Sequence, residues 1–308
     1  MKKILITGIT GFVGTHLLNF LRDKDFQIFG TSLSSEKEEG NIKIFKLDLL
    51  DEESVAKVLK DTSPDYIIHL AALASPKKSF DNPKEFLHNN TDVQLNLLEG
   101  IKKITSNPRV LVISSGEIYG QQEILPINEK ASLRPTSPYS VSKITQDYLA
   151  LQYFLAAGMD IVRARPFNHI GPGQADDFVV ASFAKQIAEV EKGIKPVVKV
   201  GNLEAKRDFT DVRDMIKAYL LLLDKGNAGE VYNIGSGKSY KIQFILDTLI
   251  EMSGKKICIE EDPARMRPSD IPDIVCDTTK INSATSWKTE IPIEDTLRDT
   301  LDYWRGIV

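Results

Sequence analysis

Short runs of β-branched and aromatic residues alternate with longer amphipathic stretches through the first half of the chain. This alternation is typical of parallel strands joined by crossover helices. It predicts strands in the segments KILIT, QIFGT, IKIFK, YIIHLAA, RVLVISS and DIVRARP. It predicts helices near Phe12–Lys24, Asp51–Asp61, Pro83–Ile104 and Ser137–Ala157. We therefore expect an α/β protein built on a doubly wound parallel sheet.

The pattern loosens after Pro166, where loops are rich in Gly, Pro and Asn, and a helix is predicted near Phe178–Lys192. Two later segments resemble the first half: the amphipathic DVRDMIKAYLLLL, which Asp211 starts, and the strand-like VYNIG. We expect residues 1–166 to form one domain, to which segments near 210–236 return. Residues 167–308 would mainly form a smaller, discontinuous α/β lobe.

Length, charge and cysteine content narrow the class of protein. A chain of 308 residues can hold one large domain or two joined lobes. Its formal net charge of -4 gives no reason to expect a nucleic-acid or acidic-membrane partner. Cys258 and Cys276 fit neither a disulfide framework nor a zinc cluster, so we expect a cytoplasmic protein without a metal site. The first apolar run ends at Thr7, too early for a signal peptide or a membrane span.

A glycine-rich segment, ITGITGFVG, follows the first predicted strand and begins the first helix, with Gly8, Gly11 and Gly14 in the spacing GxxGxxG. Glycine permits a tight turn and lets the backbone approach a pyrophosphate, and the helix amino terminus behind it favours negative charge. This location makes a chance glycine turn the weaker interpretation. We expect a Rossmann-like dinucleotide site in residues 1–166, lined also by Phe12 and Val13.

The second strand ends in FGTSLSSEK, where Thr31 and Ser32 offer hydroxyls and no carboxylate precedes Glu36. Hydroxyls with Lys37 nearby suit a 2′-phosphate, so the segment favours NADPH, with NADH as the alternative.

Two further segments fit the same cofactor. Asp48 and Leu49 follow the third strand and could meet the adenine, although a helix-capping role for Asp48 explains it equally well. Ala71 and Ala72 end the fourth strand, where small residues could lie beside the ribose and pyrophosphate; tight helix packing is the alternative.

The fifth strand ends in VISSGEIYG, and YSVSK begins the helix after it. Ligands bind at the carboxyl ends of parallel strands, so Ser115 and Glu117 would stand near Tyr139 and Lys143, which share one helix face. A cation beside a phenol lowers the phenol's pKa and prepares it for proton transfer. Hydroxyls of Ser115 and Tyr139 could bind one carbonyl oxygen while hydride arrives and Tyr139 donates the proton. An ordinary surface helix would explain the Tyr–Lys pair taken alone.

The ordered combination of GxxGxxG, Ser115 and YSVSK resembles the short-chain dehydrogenase/reductase family, in its extended branch of nucleotide-sugar enzymes. The resemblance covers essentially the whole chain. It implies that Lys143 also holds the nicotinamide ribose. It further implies a homodimer joined through the helices near Pro83–Ile104 and Ser137–Ala157. Leu33 departs from the arginine that would hold a 2′-phosphate.

Three later segments, RPFNHIGPGQ, KVGNLEAKRDFTDVRD and ARMRPSD, resemble enzymes of GDP-sugars, most closely the GDP-4-keto-6-deoxy-mannose reductases. Arginine suits a diphosphate because its planar fork gives paired hydrogen bonds. Solvated surface charge is the alternative, and we prefer it for Arg265. For His169, sugar binding and a structural role are equally open. The resemblance implies that the nucleotide sugar is contacted by Asn168, Val179, Lys185, Arg207 and Arg267.

The related dehydratases read FNHESPRRG where this chain reads FNHIGPGQ, and they place an acid or a serine where this chain has Gly116. Gly116 cannot exchange a proton through a side chain, although Glu117 leaves a base. The resemblance therefore implies NADPH-dependent reduction of the C4 ketone of GDP-4-keto-6-deoxy-D-mannose to GDP-D-rhamnose. Alternatives are a GDP-mannose 4,6-dehydratase, a nucleotide-sugar 4-epimerase, and a non-catalytic dinucleotide-sensing regulator, which we would expect to lack Tyr139 or Lys143.

Overall fold

A computed structural model describes residues 1–266 and 271–308. The strands are β1 (Lys2–Thr7), β2 (Phe26–Ser32), β3 (Lys37–Glu39), β4 (Ile42–Lys46), β5 (Tyr66–His69), β6 (Arg109–Ile113), β7 (Ile161–Pro166), β8 (Asn168–Ile170), β9 (Val197–Val200), β10 (Lys206–Asp211), β11 (Val231–Ile234), β12 (Ser239–Lys241), β13 (Cys258–Glu261) and β14 (Asp273–Ile274). The α-helices are α1 (Phe12–Leu21), α2 (Glu52–Thr62), α3 (Pro76–Asp81), α4 (Pro83–Lys102), α5 (Pro138–Ala157), α6 (Val179–Glu191), α7 (Val212–Lys225), α8 (Ile242–Ser253), α9 (Thr279–Thr285) and α10 (Ile293–Arg305). Single 3₁₀ turns cover Gly116–Tyr119 and Pro263–Arg265.

The main sheet has eight strands in the order β11-β7-β6-β5-β1-β2-β4-β3. Neighbouring strands are parallel apart from β3, which runs antiparallel to β4. The strand β1 lies in the middle, where Ile4 pairs with Ile28 on one side and with Tyr66 on the other. The chain first adds strands on the β2 side and then on the β5 side, so a crevice opens beyond the end of β1. The predicted doubly wound α/β fold is confirmed, and all six predicted strands lie in this sheet.

Both faces of the main sheet are covered, which explains why its strands read as nearly continuous apolar runs. Ile4 and Ile6 of β1 pack with Leu17 of α1 on one face. Leu5, between them, packs with Leu97 of α4 on the opposite face. This alternation along one strand builds two cores from a single apolar segment.

The strand predicted from YIIHLAA ends earlier than expected, at His69. After that point the Ala71 amide donates a hydrogen bond to Thr7 Oγ1 at 3.1 Å, away from the ladder of the sheet. The predicted strand RVLVISS likewise ends at Ile113, before its two serines. The last residues of both segments therefore form the wall of the crevice instead of extending the sheet.

The second lobe centres on β10, which pairs with β8, β12 and β14. Its core lies among α6, α8 and α10, with Phe183, Leu246 and Leu301 fully or almost fully buried. The helix α7 packs on α1, β6 and β7, and β11 pairs with β7, so both segments lie with the main sheet. The division of the chain at residue 166 stays a prediction.

Candidate active site

The turn between β1 and α1 is shaped by glycines. Gly8 has a backbone φ of +68°, and a Cβ atom there would lie 3.1 Å from the backbone of Ala71. A Cβ atom on Gly14 would lie 2.5 Å from the Gly8 carbonyl oxygen, so α1 could not approach the turn with a larger residue. The amino terminus of α1 consequently faces the crevice, and Phe12 and Val13 line it. This geometry fits the predicted pyrophosphate cradle.

At the end of β2, the predicted hydroxyls hold the local turn together. Thr31 Oγ1 accepts from the Gly8 amide at 3.3 Å. Ser32 Oγ lies 3.1 Å from Thr10 Oγ1 and accepts from the amides of residues 34 and 35. Lys37, expected near a 2′-phosphate, forms an ion pair with Glu39 at 2.6 Å on the edge strand β3. Thr31 and Ser32 thus shape this end of the crevice, while the ammonium of Lys37 is engaged elsewhere.

The other predicted cofactor residues lie around the same edge of the sheet. Asp48 is exposed and its Oδ1 accepts from the Leu50 amide at 2.9 Å in the loop before α2, while Leu49 is buried. The residue that caps α2 is Asp51, whose Oδ1 accepts from the Ser54 amide at 3.2 Å, so the capping interpretation of Asp48 is wrong. Ala72 lines the crevice and Ala71 lies against Gly8. Their contact with a cofactor stays a prediction.

A cavity of about 330 Å³ lies where β1, β5, β6 and β7 end. It brings together the predicted catalytic residues and most of the predicted cradle. The wall includes Gly8, Gly11, Phe12, Val13, Gly14, Ala72, Ser115, Glu117, Tyr139, Lys143, Asn168 and Val179.

Local structure fixes the first turn of α5. Ser137 and Ser140 form a reciprocal capping box, with Ser140 N donating to Ser137 Oγ at 3.1 Å, and Pro138 occupies the first turn. Tyr139 is consequently held at the cavity wall, where its hydroxyl hydrogen-bonds Ser115. Ser115 Oγ also accepts from the Glu117 amide at 3.1 Å. Two hydroxyls on two different elements therefore meet in one place.

The electrostatics of Tyr139 differ from the sequence expectation. Burial raises the pKa of its phenol, the hydrogen bond from Ser115 opposes that rise, and the charge of Glu117 adds to it. The predicted lowering of the Tyr139 pKa by a neighbouring cation is wrong, because desolvation of the phenolate outweighs it. The phenol is therefore protonated at neutral pH and set to donate.

Lys143 lies one turn further along α5 and is almost completely buried. Its Nζ donates to the carbonyl oxygen of Ile113 at 2.8 Å, and Ser114 Oγ donates to the Lys143 carbonyl at 3.0 Å. Burial lowers the pKa of Lys143 to about 7. The end of β6 and the helix α5 are thus joined at Lys143, whose charge responds to pH near neutrality.

A second cavity, of about 390 Å³, lies in the smaller lobe and shares Asn168 and Val179 with the first. Arg207 lines it and is buried, with Nη1 donating to the Ile271 carbonyl at 2.6 Å. Arg265, interpreted from the sequence as surface charge, also lies in this wall and donates to Ser182 Oγ at 3.1 Å. Cationic groups on a cavity that adjoins the first one suit a phosphorylated substrate.

Of the other predicted substrate residues that the structure describes, Lys185 does not line that wall. Lys185 forms an ion pair with Asp176 at 2.6 Å, a contact that raises the pKa of Lys185, and only Asp176 lines the cavity. Arg267 lies outside the described residues. Conversely, Lys77, which the sequence pattern does not single out, lines the cavity from α3 and donates to the Ala264 carbonyl at 3.2 Å. Its position two residues after the AALAS segment is the sequence signal that could have indicated it.

The segment after β7 supplies packing as well as polar groups. The rings of His169 and Phe12 stack with centroids 6.0 Å apart, and burial lowers the pKa of His169. A neutral ring packed in this way favours the structural interpretation of His169. A Cβ atom on Gly116 would come within 2.8 Å of the Phe167 ring. The Phe167 ring thus covers Gly116 and leaves no room there for a larger side chain without a shift of the ring.

Among residues 1–266 and 271–308, no group of three or more His, Cys, Asp or Glu side chains is arranged to hold a metal ion. Within the same residues, no helix has the length and apolar character needed to cross a bilayer.

The chain is similar to known proteins over nearly its whole length. Residues 5–300 match the family model described as GDP-mannose 4,6 dehydratase. The chain is 36% identical to GDP-6-deoxy-D-mannose reductase of Pseudomonas aeruginosa, over 100% of this chain and 98% of the relative. It is 33% identical to GDP-6-deoxy-D-talose 4-dehydrogenase of Aggregatibacter actinomycetemcomitans, over 91% of this chain and 90% of the relative. A solved structure of RMD from Pseudomonas aeruginosa complexed with NADPH has a TM-score of 0.90 and 36% identity, and the match covers 100% of both chains.

Proposed function

This chain belongs to the GDP-mannose 4,6-dehydratase family, and on that premise we propose that it reduces the C4 ketone of GDP-4-keto-6-deoxy-D-mannose with NADPH to give GDP-D-rhamnose. Its interpretation as a nucleotide-sugar enzyme of the short-chain dehydrogenase/reductase type is confirmed by these relatives. The observation that carries the proposal is the meeting of Ser115, Tyr139 and Lys143 in one cavity, next to a second, arginine-lined cavity with which it shares two wall residues.

The residues present fit the cofactor. Gly8 and Gly14 leave open the turn at the amino terminus of α1, because a Cβ atom at either position would fill it. A pyrophosphate requires this open turn. Lys143 would hold the nicotinamide ribose, as the family resemblance implies. NADPH, when bound, supplies the hydride. A complex of the Pseudomonas aeruginosa protein with NADPH supports this cofactor over NADH.

The chain's own groups would handle the ketone oxygen and the proton. When the ketone binds, Ser115 would donate its hydrogen bond to the ketone oxygen instead of to Tyr139, and Tyr139 would donate a second one. Both then stabilise the negative charge that grows on this oxygen as the C4 carbon gains its hydrogen. Tyr139, protonated at neutral pH, then transfers its proton to that oxygen and completes the alcohol. The nearby Lys143 ammonium stabilises the resulting phenolate.

One observation supports reduction over elimination. A dehydratase must protonate a leaving hydroxyl, and the packing of Phe167 over Gly116 provides no side chain for it there. A dehydratase or a 4-epimerase would also restore its cofactor in each cycle and consume no NADPH. A regulator without catalysis has no need for the Ser115–Tyr139 hydrogen bond.

One second candidate is favoured by a specific observation. The relative from Aggregatibacter actinomycetemcomitans acts on GDP-6-deoxy-D-talose, whose sugar is the C4 epimer of rhamnose. The same hydroxyls would serve this reaction if the sugar presented its opposite face to the cofactor. The product's configuration at C4 therefore decides between the two reductions.

Assembly and location belong to the same proposal. Val141, Tyr148 and Leu155 follow each other at seven-residue intervals on α5 and are exposed. Apolar residues at this spacing form one stripe along the helix and suit contact with a second copy of the chain. On this ground the proposal includes the homodimer expected from the sequence. The cytoplasmic location is proposed from the cysteine content alone.

The test compares the wild-type protein with Tyr139→Phe in NADPH and enzymatically prepared GDP-4-keto-6-deoxy-mannose. We expect wild type to oxidise NADPH and the variant to lose about 10²–10⁴-fold in rate, because it lacks the proton donor. NADPH binding, followed by its fluorescence, should be retained in the variant. Equal rates in both proteins would exclude Tyr139 as the donor.

A further inference from the structure

Gln146, on the same helix as the lysine of the site, is a polar side chain that the proposed mechanism does not use. It follows Lys143 by three residues, so both lie on one face of α5. It is fully buried, and its Oε1 accepts a hydrogen bond from Lys143 Nζ at 2.8 Å. A glutamine without solvent access beside a reactive amine calls for a physical role.

The ammonium of Lys143 is held by acceptors on two elements. Ile113 at the end of β6 offers its carbonyl oxygen at 2.8 Å, and Gln146 offers its amide oxygen at the same distance. An ammonium group has three N–H donors, so these two bonds fix its direction and leave one donor for a ligand. Because Lys143 lines the 330 Å³ cavity, its remaining N–H donor is available to a ligand in that cavity.

Gln146 is itself held in place from α4. Its backbone carbonyl accepts from Gln94 Nε2 at 2.7 Å, which joins the two longest helices at this level. Its own Nε2 is buried and has no hydrogen-bond partner among the described residues. Only the bond to Lys143 therefore satisfies the Gln146 side chain, and reversing the amide would turn its NH₂ group toward the ammonium. The charged Lys143 therefore favours the amide orientation in which Gln146 Oε1 faces it, and this orientation in turn stabilises the charge of Lys143.

We propose that Gln146 is a positioning residue that aims the Lys143 ammonium at the cofactor ribose and keeps it charged during reduction. This inference rests on the proposed function, because it assigns Lys143 to the ribose.

Apart from these acceptors, the surroundings of Lys143 disfavour its charged form. Burial lowers the pKa of Lys143 to about 7, and burial together with the Lys143 charge lowers the pKa of His69 to about 3, so His69 is neutral. An acceptor on the ammonium favours its charged form. Titratable groups that face Lys143 or share its cavity are His69 of β5, Glu117 of the 3₁₀ turn, Tyr139 of α5, His169 of β8 and Tyr219 of α7.

The test uses substitutions with opposite expected effects. Gln146→Met removes the acceptor and lowers the Lys143 pKa further, whereas Gln146→Glu adds a negative charge and raises it. Because activity requires the ammonium, we expect the alkaline limb of kcat/KM to move about one pH unit down in the first and about one unit up in the second. We expect Gln146→Met to weaken NADPH binding about tenfold at pH 8, measured by fluorescence titration without substrate. The matched control is Gln152→Met, an exposed position on the same helix.

Each outcome is decisive. The inference is overturned if both Gln146 variants keep the pH profile and NADPH affinity of Gln152→Met. If wild type binds NADPH with the expected pH dependence but reduces no GDP-ketosugar, the proposed function fails and the role of Gln146 stands. Should circular dichroism show Gln146→Met unfolded, the nearly isosteric Gln146→Glu decides by the direction in which its NADPH-binding profile moves.

Discussion

Asp147 of α5 is the most informative position for testing how the site is supported. Its carboxylate is completely buried and accepts from Arg163 Nη1 at 2.6 Å and from Arg165 Nε at 2.8 Å, both on β7. Arg165 also donates to the Tyr119 hydroxyl at 2.7 Å. Substitution of Asp147 by Asn keeps the size of the side chain but removes the negative charge.

The magnitude follows from burial of both partners. Arg163 and Arg165 are 6% and 4% exposed, so water cannot replace the lost carboxylate. Removing one partner of a buried ion pair costs about 3–5 kcal/mol. We expect about 3 kcal/mol for Asp147→Asn, because the amide oxygen still accepts one hydrogen bond. That loss is large beside a total stability of about 5–15 kcal/mol.

The assay is urea unfolding followed by the fluorescence of Trp287 and Trp304, both buried. The matched control is Asp295→Asn, which breaks an exposed pair with Arg298 at 3.0 Å and should cost less than about 1 kcal/mol. Equal losses in the two variants would refute the claim that the buried ion cluster anchors α5 to β7.

Three further predictions concern the site itself. Arg207→Met should raise KM for the GDP-sugar about tenfold or more and leave NADPH binding unchanged, as steady-state kinetics and fluorescence titration would show; a changed NADPH affinity would contradict its placement. Gly116→Ser should cost about 1–3 kcal/mol in urea unfolding, because its Cβ would lie 2.8 Å from the Phe167 ring, and an unchanged midpoint would refute that contact. Lys143→Met should abolish reduction yet raise the urea midpoint more at pH 6 than at pH 9. Burial lowers the pKa of Lys143 in the folded protein to about 7, below its ordinary value of 10.5. Between pH 7 and pH 10.5 the unfolded chain therefore binds more protons at this residue than the folded protein does, so the free energy of unfolding of the wild type rises with pH in this range. A midpoint difference independent of pH would contradict the buried ammonium.

The fold and the cradle were predictable because each depends on local sequence. A glycine such as Gly8, placed between a strand and a helix, has few structural alternatives, and the alternation of strands with helices specifies the sheet. The four-residue spacing of Tyr139 and Lys143 likewise predicts that they share one face of a helix.

Side-chain partners and burial could not be predicted in the same way. The pairing of Lys37 with Glu39 depends on how the edge strand turns, which spacing alone does not specify. The raised pKa of Tyr139 depends on burial, which comes from the assembled cavity. Gln146 looked like any helical glutamine until the structure placed its amide oxygen on the Lys143 ammonium.

The central claim is tested most directly by the product. Purified protein would be mixed with limiting GDP-4-keto-6-deoxy-D-mannose and excess NADPH, the oxidised nicotinamide counted, and the sugar identified by NMR. The account predicts one NADPH oxidised for each ketone and a C4 alcohol with the configuration of GDP-D-rhamnose. No oxidation, with binding of both ligands demonstrated, would contradict the reductase, and a product epimeric at C4 would move the assignment to the talose series.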